Sequence, residues 1–195
     1  MKGDSQATRA FRCVYILPSP ISLRIVHWTL PLAGTVKLNT DGSARGDFGE
    51  AGGGGIARDH TGRVLFAFAD YFDDQTAIMA ELLALKRGLE LCIQRGIRRI
   101  WIELDAQLVI QLVSGRGRGS WGMCYLIETI RRQLRGMVYC MTHIYREGNQ
   151  AADFLANLGA SGDGLQIFDD ISSLHRLRGM IRLDRAQLPT FRFAR

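Results

Sequence analysis

Residues 36–43 read Val-Lys-Leu-Asn-Thr-Asp-Gly-Ser, and their alternation decides how the rest of the chain is read. Val36, Leu38 and Thr40 fall on one face of an extended strand, and Lys37, Asn39 and Asp41 fall on the other. Asp41-Gly42-Ser43 then ends the strand with residues that favour turns. Working outward, Gly52 to Arg58 predicts a second, glycine-rich strand, and Asp59-His60-Thr61-Gly62 predicts a turn. Val64 to Phe72 predicts a third strand, apolar on both faces. Three strands joined by short turns make an antiparallel meander.

The pattern then changes period. Ile78, Leu82, Leu85, Leu89 and Cys92 recur at helical spacing, which predicts a helix over 78–94 that Gly96 stops. Arg99 to Leu104 alternates again as a fourth strand, and a helix is expected after Asp105 through Val113. A basic, glycine-rich loop at 115–119 leads to a helix over 123–135, a fifth strand over 138–145 and a last helix over 150–158. Strands first and strand–helix alternation afterwards imply an α/β fold, a mixed sheet covered by helices. Strands four and five follow helical crossovers and should each run parallel to a neighbour. With strand four beside strand one, Asp41 and Asp105 emerge together at carboxyl ends of adjacent strands, where open α/β sheets place their sites.

The domain reading is a loosely structured leader at 1–34 with three of the four prolines, a central domain at 35–160 and a basic tail at 161–195. The formal charge of +6 is uneven, since residues 1–34 carry four basic side chains against one acid. A basic rim around an acidic pit that cations neutralise suits a polyanion such as nucleic acid. The four cysteines show no metal-ligand spacing, which argues against structural zinc and for a reducing compartment, the nucleus or cytoplasm. Cys92 and Cys140 lie in apolar runs, where buried thiols are common. The N-terminal apolar run from Cys13 to Leu17 is too short to span a bilayer.

Four carboxylates carry the chemistry: Asp41, Glu81, Asp105 and Asp153. Taken singly, Asp105 reads as a helix N-cap and Asp153 as an acid in a first helical turn. Asp41 and Glu81 stand evenly between structural and functional roles. Brought together, the four would make a patch of negative charge that is costly without divalent cations, and hard oxygen donors select Mg2+.

Five stretches in order carry a resemblance: 37–43 (Lys-Leu-Asn-Thr-Asp-Gly-Ser), 52–59 (Gly-Gly-Gly-Gly-Ile-Ala-Arg-Asp), 80–85 (Ala-Glu-Leu-Leu-Ala-Leu), 103–109 (Glu-Leu-Asp-Ala-Gln-Leu-Val) and 146–156 (Arg-Glu-Gly-Asn-Gln-Ala-Ala-Asp-Phe-Leu-Ala). The chain from Lys37 to Gly159 resembles the ribonuclease H family, and most of all the plant type associated with non-LTR retrotransposon reverse transcriptases. Trp28, Pro31, Gly34 and the tail at 177–184 resemble that subgroup too. The resemblance implies a five-stranded mixed sheet in order 3-2-1-4-5 flanked by helices. It implies that Asp41, Glu81, Asp105 and Asp153 are the catalytic, metal-binding carboxylates for two Mg2+ ions, with Mn2+ as a substitute. The implied reaction is endonucleolytic hydrolysis of the RNA strand of an RNA–DNA hybrid, by a monomer. Substrate contacts are expected from Gly42, Ser43, Gln107, Arg146 and Asn149.

Three departures from the family pattern stand out. The loop before the last helix lacks the usual His, leaving Arg146 as a cationic substitute and His143 as a packing residue. Ala77 and Ile78 stand where many members carry an Asn pair that reads the minor groove. Ala106 replaces the usual Ser after Asp105. The family's basic protrusion has no counterpart, and Arg116, Arg118, Arg131, Arg132 and Arg135 are either phosphate contacts or a solvated face. The alternative is therefore a weak or inactive ribonuclease H-like module of retroelement origin that binds nucleic acid.

Overall fold

The computed structural model describes residues 22–194, so the expectations for earlier residues, Cys13 among them, lie outside the described residues. Strand β1 (Ser22–Val26) precedes the meander β2 (Val36–Ala44), β3 (Gly49–Arg58) and β4 (Val64–Gln75). Helix α1 (Ala77–Gln94), β5 (Arg99–Leu104), α2 (Gln107–Val113), α3 (Trp121–Arg135) and β6 (Val138–His143) follow. A 3-10 turn at Arg146–Gly148 leads to α4 (Gln150–Ala160), β7 (Gln166–Phe168), α5 (His175–Arg185) and β8 (Thr190–Ala194).

Six strands form the main sheet in the order β6-β5-β2-β3-β4-β7. The meander pairs antiparallel, and β5 runs parallel to both β2 and β6. This is the expected 3-2-1-4-5 order with one difference, because the three-residue β7 adds antiparallel to the outer edge of β4. So short a strand leaves no periodic signal to read. β2 is central, and its two faces meet different layers. Leu38 and Thr40 touch the α1 position of Gly88, within a core that α1, α2 and α3 share. On the other face, Ile56 and Ala67 pack against Ala151 and Leu155 of α4 and Leu177 and Ile181 of α5.

Helix α1 starts where Thr76 accepts a hydrogen bond from the Met79 amide and ends before Gly96, whose φ of +71° is the left-handed conformation a helix stop uses. Leu82, Leu85, Leu89 and Cys92 are all fully buried, as the helical spacing predicted. Two other expectations are corrected. Cys140 is exposed, because β6 is the sheet's outer strand and most of its residues face solvent. Residues 22–34 and 161–194, read as a loose leader and tail, carry regular structure: β1 pairs antiparallel with β8, and α5 covers the sheet.

Candidate active site

Topology alone brings the first two carboxylates together. The parallel register sets Asn39 of β2 against Glu103 of β5. Asp41 and Asp105, each two residues further on, therefore leave their strands at matching positions. Glu81 arrives from the other layer because α1 rests directly on β2. A Cβ built on Gly42 would lie 2.2 Å from the Glu81 backbone nitrogen, so only glycine lets the helix approach this closely. Asp41, Glu81 and Asp105 each offer an oxygen within 4.8 Å of the others.

Asp153 comes to the same end of the sheet through a second close approach. Asp41 pairs with Gly54, and a Cβ on Gly54 would lie 2.2 Å from the Ala156 nitrogen of α4. Asp153, in the first turn of α4, does not join the three-carboxylate group. Its Oδ1 accepts from Arg146 Nε at 3.0 Å and also from Nη2, and its Oδ2 accepts from Asn157 Nδ2 at 3.2 Å.

The electrostatics are those of a site under its own repulsion. Burial, then the charges of Asp105 and Asp153, pushes the Asp41 carboxyl up to about 8. Burial, then Asp41 and Asp105, pushes Glu81 up as well. Glu81 Oε2 is buried and has no hydrogen-bond partner among the described residues. A buried carboxylate that keeps one oxygen without a donor, beside two more carboxylates, fits a hard divalent cation better than any side chain nearby.

A family model described as "Reverse transcriptase-like" matches residues 39–159, which span this site from end to end. The chain belongs to that family, as a ribonuclease H-like domain. A protein of Arabidopsis thaliana with the provisional name of a ribonuclease H protein is 32% identical over 139 residues, which is 71% of this chain and 22% of that relative. The chain thus spans about a fifth of that relative's length. The ribonuclease H1 of Halobacterium salinarum superposes with a TM-score of 0.62 at 28% identity, covering 65% of this chain and 98% of that one. A ribonuclease H1 solved in complex with an RNA/DNA hybrid superposes at 0.61 with 27% identity, covering 65% and 96%. The ribonuclease H-like domain therefore accounts for the core of the fold, while β1, β7, α5 and β8 lie outside the matched residues.

The remaining expected site residues fall in different settings within the ribonuclease H-like domain. Gln107 is exposed at the first position of α2, whose N-cap is Ala106 and not Asp105. Gly42 and Ser43 are half-buried, and Ser43 Oγ donates to Asn157 Oδ1 at 3.0 Å. Arg146 is exposed beside Asp153. Asn149, expected at the substrate, is instead 1% exposed. Its Nδ2 donates to Thr40 O at 3.0 Å and to Asp105 Oδ1 at 3.3 Å, so it holds the Asp105 carboxylate in place. His143 is exposed, its ring edge-on to that of Tyr145 at 5.2 Å between centroids and its Nε2 3.1 Å from the Asp105 carbonyl oxygen. Arg131 donates to the carbonyls of Leu112 and Val113 at 2.8 and 3.0 Å, which commits it to closing α2. Asn39 and Trp28 escaped the sequence reading as site-related residues, because nothing local distinguishes a buried Asn or Trp that faces a site from one that only packs.

Proposed function

We propose that this domain is a divalent-metal-dependent endonuclease that hydrolyses the RNA strand of RNA–DNA hybrids. The observation that carries the reading is the convergence of Asp41, Glu81 and Asp105, with one Glu81 oxygen buried and unpartnered among the described residues. Asp41, Glu81 and Asp105 would hold one cation, and Asp153 with Asp41 a second, with Mg2+ favoured by the all-oxygen donor set and Mn2+ as a substitute. Cations held there supply charge neutralisation, polarise a phosphodiester and acidify an attacking water.

The chain's own residues prepare that site. Asn149 ties down one oxygen of Asp105, which fixes the direction in which the other points. Arg146 places a guanidinium beside Asp153 at the open mouth, where its remaining donors can meet a phosphate oxygen. The Gln107 amide and the half-exposed backbone at Gly42 and Ser43 supply polar groups for the hybrid and its ribose hydroxyls. The ribonuclease H1 neighbour crystallised with an RNA/DNA hybrid supports this substrate class. Grip on the minor groove is the weak part, because Ala77 is exposed without a polar group and Ile78 packs on the core.

The test is cleavage of an RNA–DNA hybrid labelled on each strand in turn, with Mg2+, beside an Asp105→Asn variant. The expected result is internal cuts in the RNA strand by the wild type and none by the variant. Equal, background cleavage by both proteins with hybrid binding retained would replace the enzyme by a nucleic-acid-binding module.

A further inference from the structure

We propose that Trp28, from the segment preceding the matched domain, is a positioning residue for Asp105 that acts through Asn39 and Asn149. The inference rests on the metal-site reading above and adds to it a residue outside the family match.

A primary amide has an accepting end and a donating end, and its neighbours decide which end faces where. Asn39 has donor-only neighbours on one side. Its Oδ1 accepts from the Trp28 indole Nε1 at 2.9 Å and from Arg58 Nη2 at 2.9 Å. Neither group can accept, so Nδ2 of Asn39 must point the other way. There it donates to Glu103 Oε2 at 3.3 Å and to Asn149 Oδ1 at 3.2 Å. Asn149 is thereby set with its oxygen toward Asn39 and its Nδ2 toward Thr40 O and Asp105 Oδ1. One polarity runs through the whole chain, from a donor on the indole to a donor on the metal-site carboxylate. Reversing Asn149 would bring an amide oxygen against Asp105, and reversing Asn39 would bring one against Glu103 Oε2 and Asn149 Oδ1.

The members are shielded from water, which would otherwise exchange for any of these bonds. Trp28 is 2% exposed, and Asn39, Arg58 and Asn149 are each 1% exposed. The indole is itself held in place, since the Arg58 guanidinium stacks 3.7 Å from its ring and is anchored by Asp184 Oδ2 at 2.6 Å. Residues that orient a metal ligand from behind commonly change metal affinity when altered.

Trp28→Phe keeps an aromatic ring and removes only the donor. Mg2+ binding by the full chain, measured calorimetrically without hybrid, should weaken about 3- to 10-fold, a smaller change than the roughly 10- to 100-fold typical of a direct ligand partner. The KM for hybrid at saturating Mg2+ should stay at the wild-type value. In an Asn149→Ala background the same substitution should have no further effect on Mg2+ binding, because the path is already cut. Ile130→Ala, a core change on α3 in the layer across the sheet from α5, serves as the stability control. Unchanged Mg2+ binding in Trp28→Phe, multiplying effects in the double variant, or an equal loss of binding in Ile130→Ala would each overturn the proposal. A wild type that binds no Mg2+ would instead sink the functional reading. The relay is then still read from the Asn149 side-chain NH2 resonances, which must shift in Trp28→Phe if it exists.

Discussion

At Asp41 a carboxyl group is 4% exposed and faces other carboxylates, so it is held neutral at a pH where an ordinary one is charged. The sign of the consequence follows from linkage. The folded value of about 8 lies above the ordinary 3.8, so between them the folded protein holds a proton that the unfolded chain releases. This contribution is fully present below about 4 and is lost as pH rises toward about 8. Cation-free protein should therefore melt progressively lower across that window, and Asp41→Asn should flatten the decline. At pH 8 the variant should melt about 3 °C above the wild type, the shift expected for about 1 kcal/mol in a chain of this size. A wild type whose melting temperature rises over the same window would refute it. At this scale the three converging carboxylates were legible from their motifs. Asn149 was legible as a site residue but not as one turned inward, since burial is a property of what packs around it.

Elements place those residues, and the glycines of β2 and β3 decide how closely. The run at 52–55 reads as a glycine-rich strand, but its purpose is visible only with α4 against it: added Cβ atoms at Gly52 and Gly54 would lie 2.0 and 2.2 Å from the helix backbone. Gly42 does the same for α1. Gly42→Ala should cost about 1–3 kcal/mol by overpacking, read by urea denaturation, and should weaken Mg2+ binding by moving Glu81. Tolerance of alanine with both quantities unchanged would show that α1 can slide without loss. Helix and strand periods were legible between 36 and 160, as the full burial of Leu82, Leu85 and Leu89 shows, but not in β1, β7, α5 and β8. The outward face of β6 was not, because whether a strand is central or at an edge depends on its neighbours and not on its own residues.

Across the whole molecule, the two ends of the described chain meet on the sheet face opposite α1. Lys37 and Arg58 are buried there at 0% and 1% exposure, paired with Glu103 at 2.9 Å and Asp184 at 2.6 Å. Burial lowers the Lys37 ammonium from its usual range, with Glu103 opposing that shift. Asp184 belongs to α5, so it, like Lys37, brings a charge to this cluster from outside the matched residues. Asp184→Asn should leave Arg58 poorly compensated and cost about 3–5 kcal/mol in chemical denaturation, the range for breaking one side of a buried pair. A loss within about 0.5 kcal/mol, as for an exposed pair, would mean that α5 is dispensable to the core. The sequence by itself determined the order of elements between 36 and 160 and the residue types of the candidate metal site, because periodicity and local motifs are written along the chain, while the 3-2-1-4-5 core of the sheet came from the family resemblance those motifs carry. Tertiary structure alone decided that Asn149 faces Asp105, that Trp28 and Asp184 reach Arg58, and that β1 finds β8. Those contacts join residues up to 164 or more positions apart, and the close packing that brings them into register is set by the fold as a whole, not by any local stretch.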